Sequence, residues 1–176
     1  MSMTIEFATA FVRDFFVPVY ANEHPLTKGV IASIPADKAG YAPDAVTRPA
    51  IDLAWHIVSA EIRFMRAVAS GAFDYGNATR PDAVSSPMDV VNWYSGAFES
   101  ALDKLRLTAG DQLVKAIDFR GIFSLPAYAY LQSGISHTIH HRGQLTTYLR
   151  PMGARVPSIY GESYDSRQAR ESGQKR

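Results

Sequence analysis

The sequence predicts an all-α protein, a four-helix bundle with long connections. Three observations carry that prediction. Apolar residues recur every three or four positions in four stretches. Proline, serine and glycine mark most of the ends of those stretches. Between them only residues 111–125, DQLVKAIDFRGIFSL, alternate as a short strand would, so at most a small hairpin or extended crossing segment interrupts the helices.

The first stretch, TIEFATAFVRDFFVPVYA, repeats Phe7, Phe11 and Phe15 four apart, and Ala8, Val12 and Val19 widen that apolar face. Pro18 is expected to kink or end the helix, and a loop of about 25 residues rich in Pro, Gly and Lys follows. The second stretch, RPAIDLAWHIVSAEIRFMRAVASG, has Pro49 suited to a first turn and Gly71 to a stop. Leu53, Ile57, Ala60, Phe64 and Ala67 form its stripe. The third starts at SPMD, where Ser86 can cap, Pro87 takes the first helical position and Asp89 completes a capping box. It runs to Gly110 with Val90, Tyr94, Phe98, Leu102 and Leu105 on one face. The fourth, PAYAYLQSGISHTIHHRGQLTTYLR, ends around Pro151 and Gly153.

A chain of 176 residues fits one domain with its own core. We expect that domain over residues 1–164, with 165–176 a solvated, frayed basic tail. The tail holds four basic and two acidic residues, which leaves the rest of a +1 chain close to neutral. A neutral body offers no electrostatic footprint for nucleic acid. The N-terminal stretch lacks the pattern of a signal peptide, and no apolar run reaches the roughly 18 residues of a membrane span. A cytoplasmic protein without membrane or nucleic-acid partners is the expectation. Cysteine is absent. That excludes disulfides, thiolate-bound zinc, iron–sulfur clusters and a cysteine nucleophile, so a metal would need His or carboxylate ligands and a thiol would have to come from outside.

The fourth stretch carries His137, His140 and His141, three of the chain's five histidines. Helical positions four apart share a face, so His137 and His141 project together, with Gln144 and Tyr148 continuing the stripe. Two imidazoles at this spacing can share one divalent ion, as in the helical H-E-x-x-H motif. His140, at i+3, is the alternative partner of His137. It lies about 100° from His141 around the helix, so only one of the two joins the pair, and His140 is otherwise a rim residue. A third ligand must come from elsewhere. His24 sits in NEHPL, expected to be a loop that could hardly hold it in place. His56 sits in mid-helix among apolar residues, where an unpaired charge would be costly and a metal-bound neutral imidazole would not. Spacing alone leaves a three-histidine metal site and an ordinary polar helix face equally open.

HTIHHRGQLTTYLRPMG, followed by VPSIYG and preceded by LAWHIVSAE, resembles the DinB-like (DinB/YfiT) superfamily of metal-dependent proteins over roughly residues 3–162. The resemblance implies His56, His137 and His141 as metal ligands, completed by water. It also implies an up-down-down-up bundle, usually a homodimer, with the metal inside one end. An all-imidazole shell suits Zn²⁺, Ni²⁺, Fe²⁺ or Cu²⁺ without choosing among them. Asp52, one turn before His56, could orient that ring or serve a structural ion pair. Arg142 and Glu61 read as bundle-holding polar residues, and Gly143 as a place for close helix approach. The implied activities are metal-assisted hydrolysis or a transfer that uses a low-molecular-weight thiol, on an unknown small molecule. The alternatives are a non-catalytic metal- or ligand-binding stress protein and, last, a structural dimer. No residue stands out as a general base.

Overall fold

A computed structural model describes residues 3–76 and 78–173. It is the expected helical bundle. Helices α1 (Ile5–Phe11) and α2 (Val17–Ala32) run on from one another through a π-helical turn, Val12–Phe16. Then come α3 (Ala50–Ser70), α4 (Pro87–Arg106), the short α5 (Gly110–Val114), strands β1 (Ala116–Phe119) and β2 (Phe123–Pro126), α6 (Ala129–Leu149) and α7 (Tyr164–Gly173). Helix α3 packs on α4 and α6, and α2 packs on the same two from the other side. Chain-consecutive α2 and α3 are therefore diagonal, as are α4 and α6. That diagonal order is the reason for the long connections.

The first helix departs from expectation in two ways. Pro18 does not end it, and the helix also runs through Pro25. A proline lacks the N–H that would bond the carbonyl four residues back and presses on it. The π-turn immediately before Pro18 shifts the pairing register there, and the helix continues. The loop that follows is correspondingly shorter, residues 33–49. The buried stripe also sits one residue over: Ala8, Val12, Phe16 and Tyr20 are buried, while Phe7 and Phe15 are 59% and 47% exposed. With residues 7/8, 11/12 and 15/16 all apolar, periodicity cannot tell the two adjacent stripes apart.

The other long helices follow their signals. The Ser86 hydroxyl accepts from Asp89 N–H and the Asp89 carboxylate from Ser86 N–H, closing the capping box. Gly71 ends α3 in the left-handed region, at φ 86°. Val90, Tyr94, Phe98, Leu102 and Leu105 of α4 are all buried, although the helix stops at Arg106 rather than reaching Gly110. The alternating segment is a two-stranded antiparallel hairpin preceded by α5.

Close approach to α6 occurs at Gly134 and not at Gly143. A Cβ on Gly134 would lie 2.5 Å from Tyr20 Oη and 2.9 Å from Phe64 Cβ, whereas one on Gly143 would meet nothing. Tyr20 Oη uses that space to donate to Leu131 O at 2.9 Å, tying α2 to α6. The expected frayed tail is also helical as far as Gly173. Asp165 at its start accepts from Arg150 and from Val156 N–H, and Arg170 pairs with Glu162, so side chains outside the tail anchor it. No helix among the described residues is long and apolar enough to cross a membrane.

Candidate metal centre

Helices α3 and α6 face one another along most of their length, and each brings its mid-helix histidines to the shared face. His56 comes from α3. His137 and His141 come from successive turns of α6, so their i, i+4 spacing becomes a pair of rings 4.5 Å apart. His56 completes a nearly equilateral triangle with them, 4.8 Å from the His137 ring and 4.7 Å from the His141 ring. Its Nε2 is 3.0 Å from His137 Nε2. One nitrogen from each of the three rings falls within 4.8 Å of the other two.

This arrangement fits a metal ion. Two nitrogens each about 2.0–2.1 Å from one ion, at right or tetrahedral angles, stand about 2.8–3.4 Å apart. The His56–His137 separation is already in that interval. The electrostatics agree. Burial pushes His56 down to about 4, assisted by Arg48, His141 and Arg63. Burial pushes His137 down to about 3, with His141 and His56 adding to it. Both rings are therefore neutral at neutral pH, the form that can donate a lone pair. His141 Nδ1 donates to Gln144 Oε1 at 2.9 Å, and Gln144 continues to Tyr148 Oη. That bond places the His141 proton on Nδ1 and leaves Nε2 available. His137 Nδ1, in contrast, is buried and has no partner among the described residues.

The remaining histidines fall outside the group. His140 is exposed on the rim beside His141. His24 is in helix α2 rather than in a loop, stacked on Phe98 at 3.9 Å and edge-on to Tyr94, so packing and not flexibility keeps it from the triad. Asp52 does not orient His56; it pairs with Arg80 at 2.7 Å. Arg142 and Glu61 do hold the bundle. Arg142 is buried, with Glu23 at 2.6 Å, Thr27 Oγ1 at 3.1 Å and the Tyr160 hydroxyl against it. Glu61 is buried on α3, where Tyr94 and Thr138 donate to its two oxygens at 2.5 and 2.6 Å. Burial raises its pKa to about 7 against the pull of those two hydroxyls and Arg142.

A sequence profile of the DinB family matches residues 16–175, nearly the whole chain. The chain belongs to the DinB family. Two crystal structures of DinB-like proteins share the family fold. One, YjoA of Bacillus subtilis, superposes with a TM-score of 0.68 at 23% identity, over 84% of this chain and 99% of that one. The other, from Bacillus cereus, has a TM-score of 0.69 at 22% identity, over 82% of this chain and 95% of that one. No curated relative matches the sequence. The fold is thus shared with DinB-like proteins.

The triad is only partly enclosed. A cavity of about 450 Å³ is lined by His56, Trp55 and Asp52, and by Arg48, Arg63, Arg80 and Arg120. A second of about 180 Å³ is walled by His56, His137, Phe64, Phe73, Tyr75 and Phe119, with Arg63 and Arg120 again at its edge. Sequence reasoning does not find these arginines. They come from a loop, a helix, a second loop and a hairpin, and no period links them. The one local signal is Arg120-Gly121 at the centre of a hairpin turn.

Proposed function

We propose that this DinB-family chain binds one divalent transition metal, Zn²⁺, Ni²⁺ or Fe²⁺, through His56, His137 and His141, and works as a metal-dependent hydrolase or a low-molecular-weight-thiol-dependent transferase. The observation that carries the metal is the convergence of three imidazoles from two helices, with His56 and His137 Nε2 3.0 Å apart. Held by neutral ligands, a divalent ion keeps its full charge and supplies Lewis acidity toward a substrate oxygen or sulfur. The chain's part is positioning. Gln144 fixes the His141 tautomer, and Phe64, Phe73 and Phe119 form an apolar wall that limits water on the His137 side. A thiol, if one is used, comes from a cosubstrate, since the chain has no cysteine.

One observation favours the second reading, a non-catalytic metal- or ligand-binding protein. Among the described residues the only carboxylate lining the two cavities is Asp52, and Arg80 occupies it, so no free general base stands beside the triad. Homodimerisation and a cytoplasmic location belong to the same proposal; the first is read from mass in solution.

The test compares metal-loaded and chelator-stripped chain on a panel of ester, amide and thiol-transfer substrates. Turnover by the loaded chain that vanishes on stripping and in His137→Ala supports the enzyme. Stoichiometric metal with no turnover on any substrate supports the binding protein.

A further inference from the structure

Four arginines around one cavity need a counter-charge, and the protein supplies little. Arg80 is committed to structure, with its Nε on Asp52 and its Nη1 donating to Val84 O. Among the described residues Arg48, Arg63 and Arg120 make no ion pair, although the chain as a whole carries only +1. Their gathering is therefore a feature of placement and not of a basic composition.

Arg63 and Arg120 are held rather than loose. Their guanidinium carbons lie 5.8 and 4.6 Å from the ring centroid of Tyr75, and Arg120 also lies 5.8 Å from that of Phe119. The backbone of Arg120 points the same way. It sits at φ 58° with Gly121 at φ 69°, and Ile122 N–H closes the turn onto Phe119 O at 3.0 Å. Asparagine or glycine takes the first position of such a turn at little cost, while a long side chain is strained there. Strain of this kind persists only where the surrounding structure holds it in place, and it clusters at ligand-binding sites. Tyr75 Oη, on the residue beneath both guanidinium groups, is buried and has no partner among the described residues.

We propose that Arg48, Arg63 and Arg120 form an oxyanion seat beside the histidine triad, for a small-molecule substrate or cosubstrate that carries a carboxylate or phosphate group. A guanidinium presents a planar fork of donors that matches either oxyanion. The larger cavity, at about 450 Å³, has the size of a small-molecule site. His56, Arg63 and Arg120 line both cavities, so a ligand anchored on the arginines extends toward His56 and His137. The inference deepens the metal reading by naming the substrate class, but the seat itself is made of protein side chains.

The test is calorimetric titration of the full chain, metal-stripped and zinc-loaded, with inorganic phosphate and with succinate at low ionic strength. Metal content is measured on the same samples. Saturable binding of either anion by the stripped chain is expected, and the tighter of the two names the source of the oxyanion. Arg63→Gln and Arg120→Asn should each weaken it tenfold or more, while Arg106→Gln, paired with Asp103 on the surface, should not. Arg120→Asn also controls for folding, because it relieves the turn and should keep or raise the melting temperature. His137→Ala should lose metal and keep anion binding. No saturable binding in any form, or binding indifferent to both arginine substitutions, overturns the seat. Binding confined to the zinc-loaded chain and unaffected by the arginines overturns it while leaving the metal reading intact.

Discussion

The Nε2 atoms of His56 and His137 lie 3.0 Å apart, facing each other across the α3–α6 interface although the residues are 81 positions apart in the chain. Two cationic imidazoles could not be held so close in a half-buried site. Two neutral ones can share a proton, or a metal ion can take the place of that proton.

His141 and not His140 completes the group. His141 is within ring contact of both other histidines, and Gln144 holds its Nδ1, whereas His140 points to solvent on the rim. His141→Ala should lower zinc affinity by at least about tenfold, the loss typical of disturbing a metal site, and His140→Ala should leave it within a few-fold. Parallel competition titrations with a chromophoric chelator read both. Retention in His141→Ala with loss in His140→Ala would reverse the assignment.

Glu61 gives stability a pH dependence of its own. Its folded pKa, about 7, is above the ordinary 4.5, so the folded state holds a proton that the unfolded state releases between those values. Its contribution is fully present below about pH 4.5 and is lost as pH rises through about 7. Glu61→Gln cannot ionise and should flatten this fall, which is of the order of 1–3 kcal/mol for a shift of this size. Urea unfolding of both proteins at pH 5 and pH 8 checks it. An equal drop in the two would show that another group is responsible.

Two glycines on α6 should respond in opposite directions. Gly134→Ala forces a Cβ against Tyr20 Oη and Phe64 Cβ and should destabilise by about 1–3 kcal/mol. Gly143→Ala meets nothing within 4 Å, replaces a poor helix former on an exposed face, and should stabilise by about 0.5–1 kcal/mol. Urea midpoints of the pair decide it, and similar shifts would mean that the packing around Gly134 is looser than described.

What the sequence makes legible is what is local and periodic. The capping box at Ser86, the stop at Gly71 and the buried face of α4 each follow from a few neighbouring residues. The His137–His141 pair is legible for the same reason, because four residues make one turn of helix. His56 needed a different argument, the cost of an unpaired polar ring in an apolar helix. Three things stay hidden. Pro18 reads as a kink or an end because the π-turn that lets the helix continue leaves no composition signature. Phe7, Phe11 and Phe15 read as the buried stripe because an equally apolar stripe runs beside them. Arg48, Arg63 and Arg120 read as unrelated surface charges, since only the packing of a loop, a helix and a hairpin makes them neighbours.

The central claim is that one metal ion is held by His56, His137 and His141 together. Metal content of the purified chain, by mass spectrometry beside His56→Ala, His137→Ala and His24→Ala, tests it most directly. The account predicts close to one equivalent of a divalent transition metal in the unaltered protein and in His24→Ala, and loss of most of it in the other two. Metal retained at full occupancy in His56→Ala and His137→Ala, with folded protein in both, would contradict it.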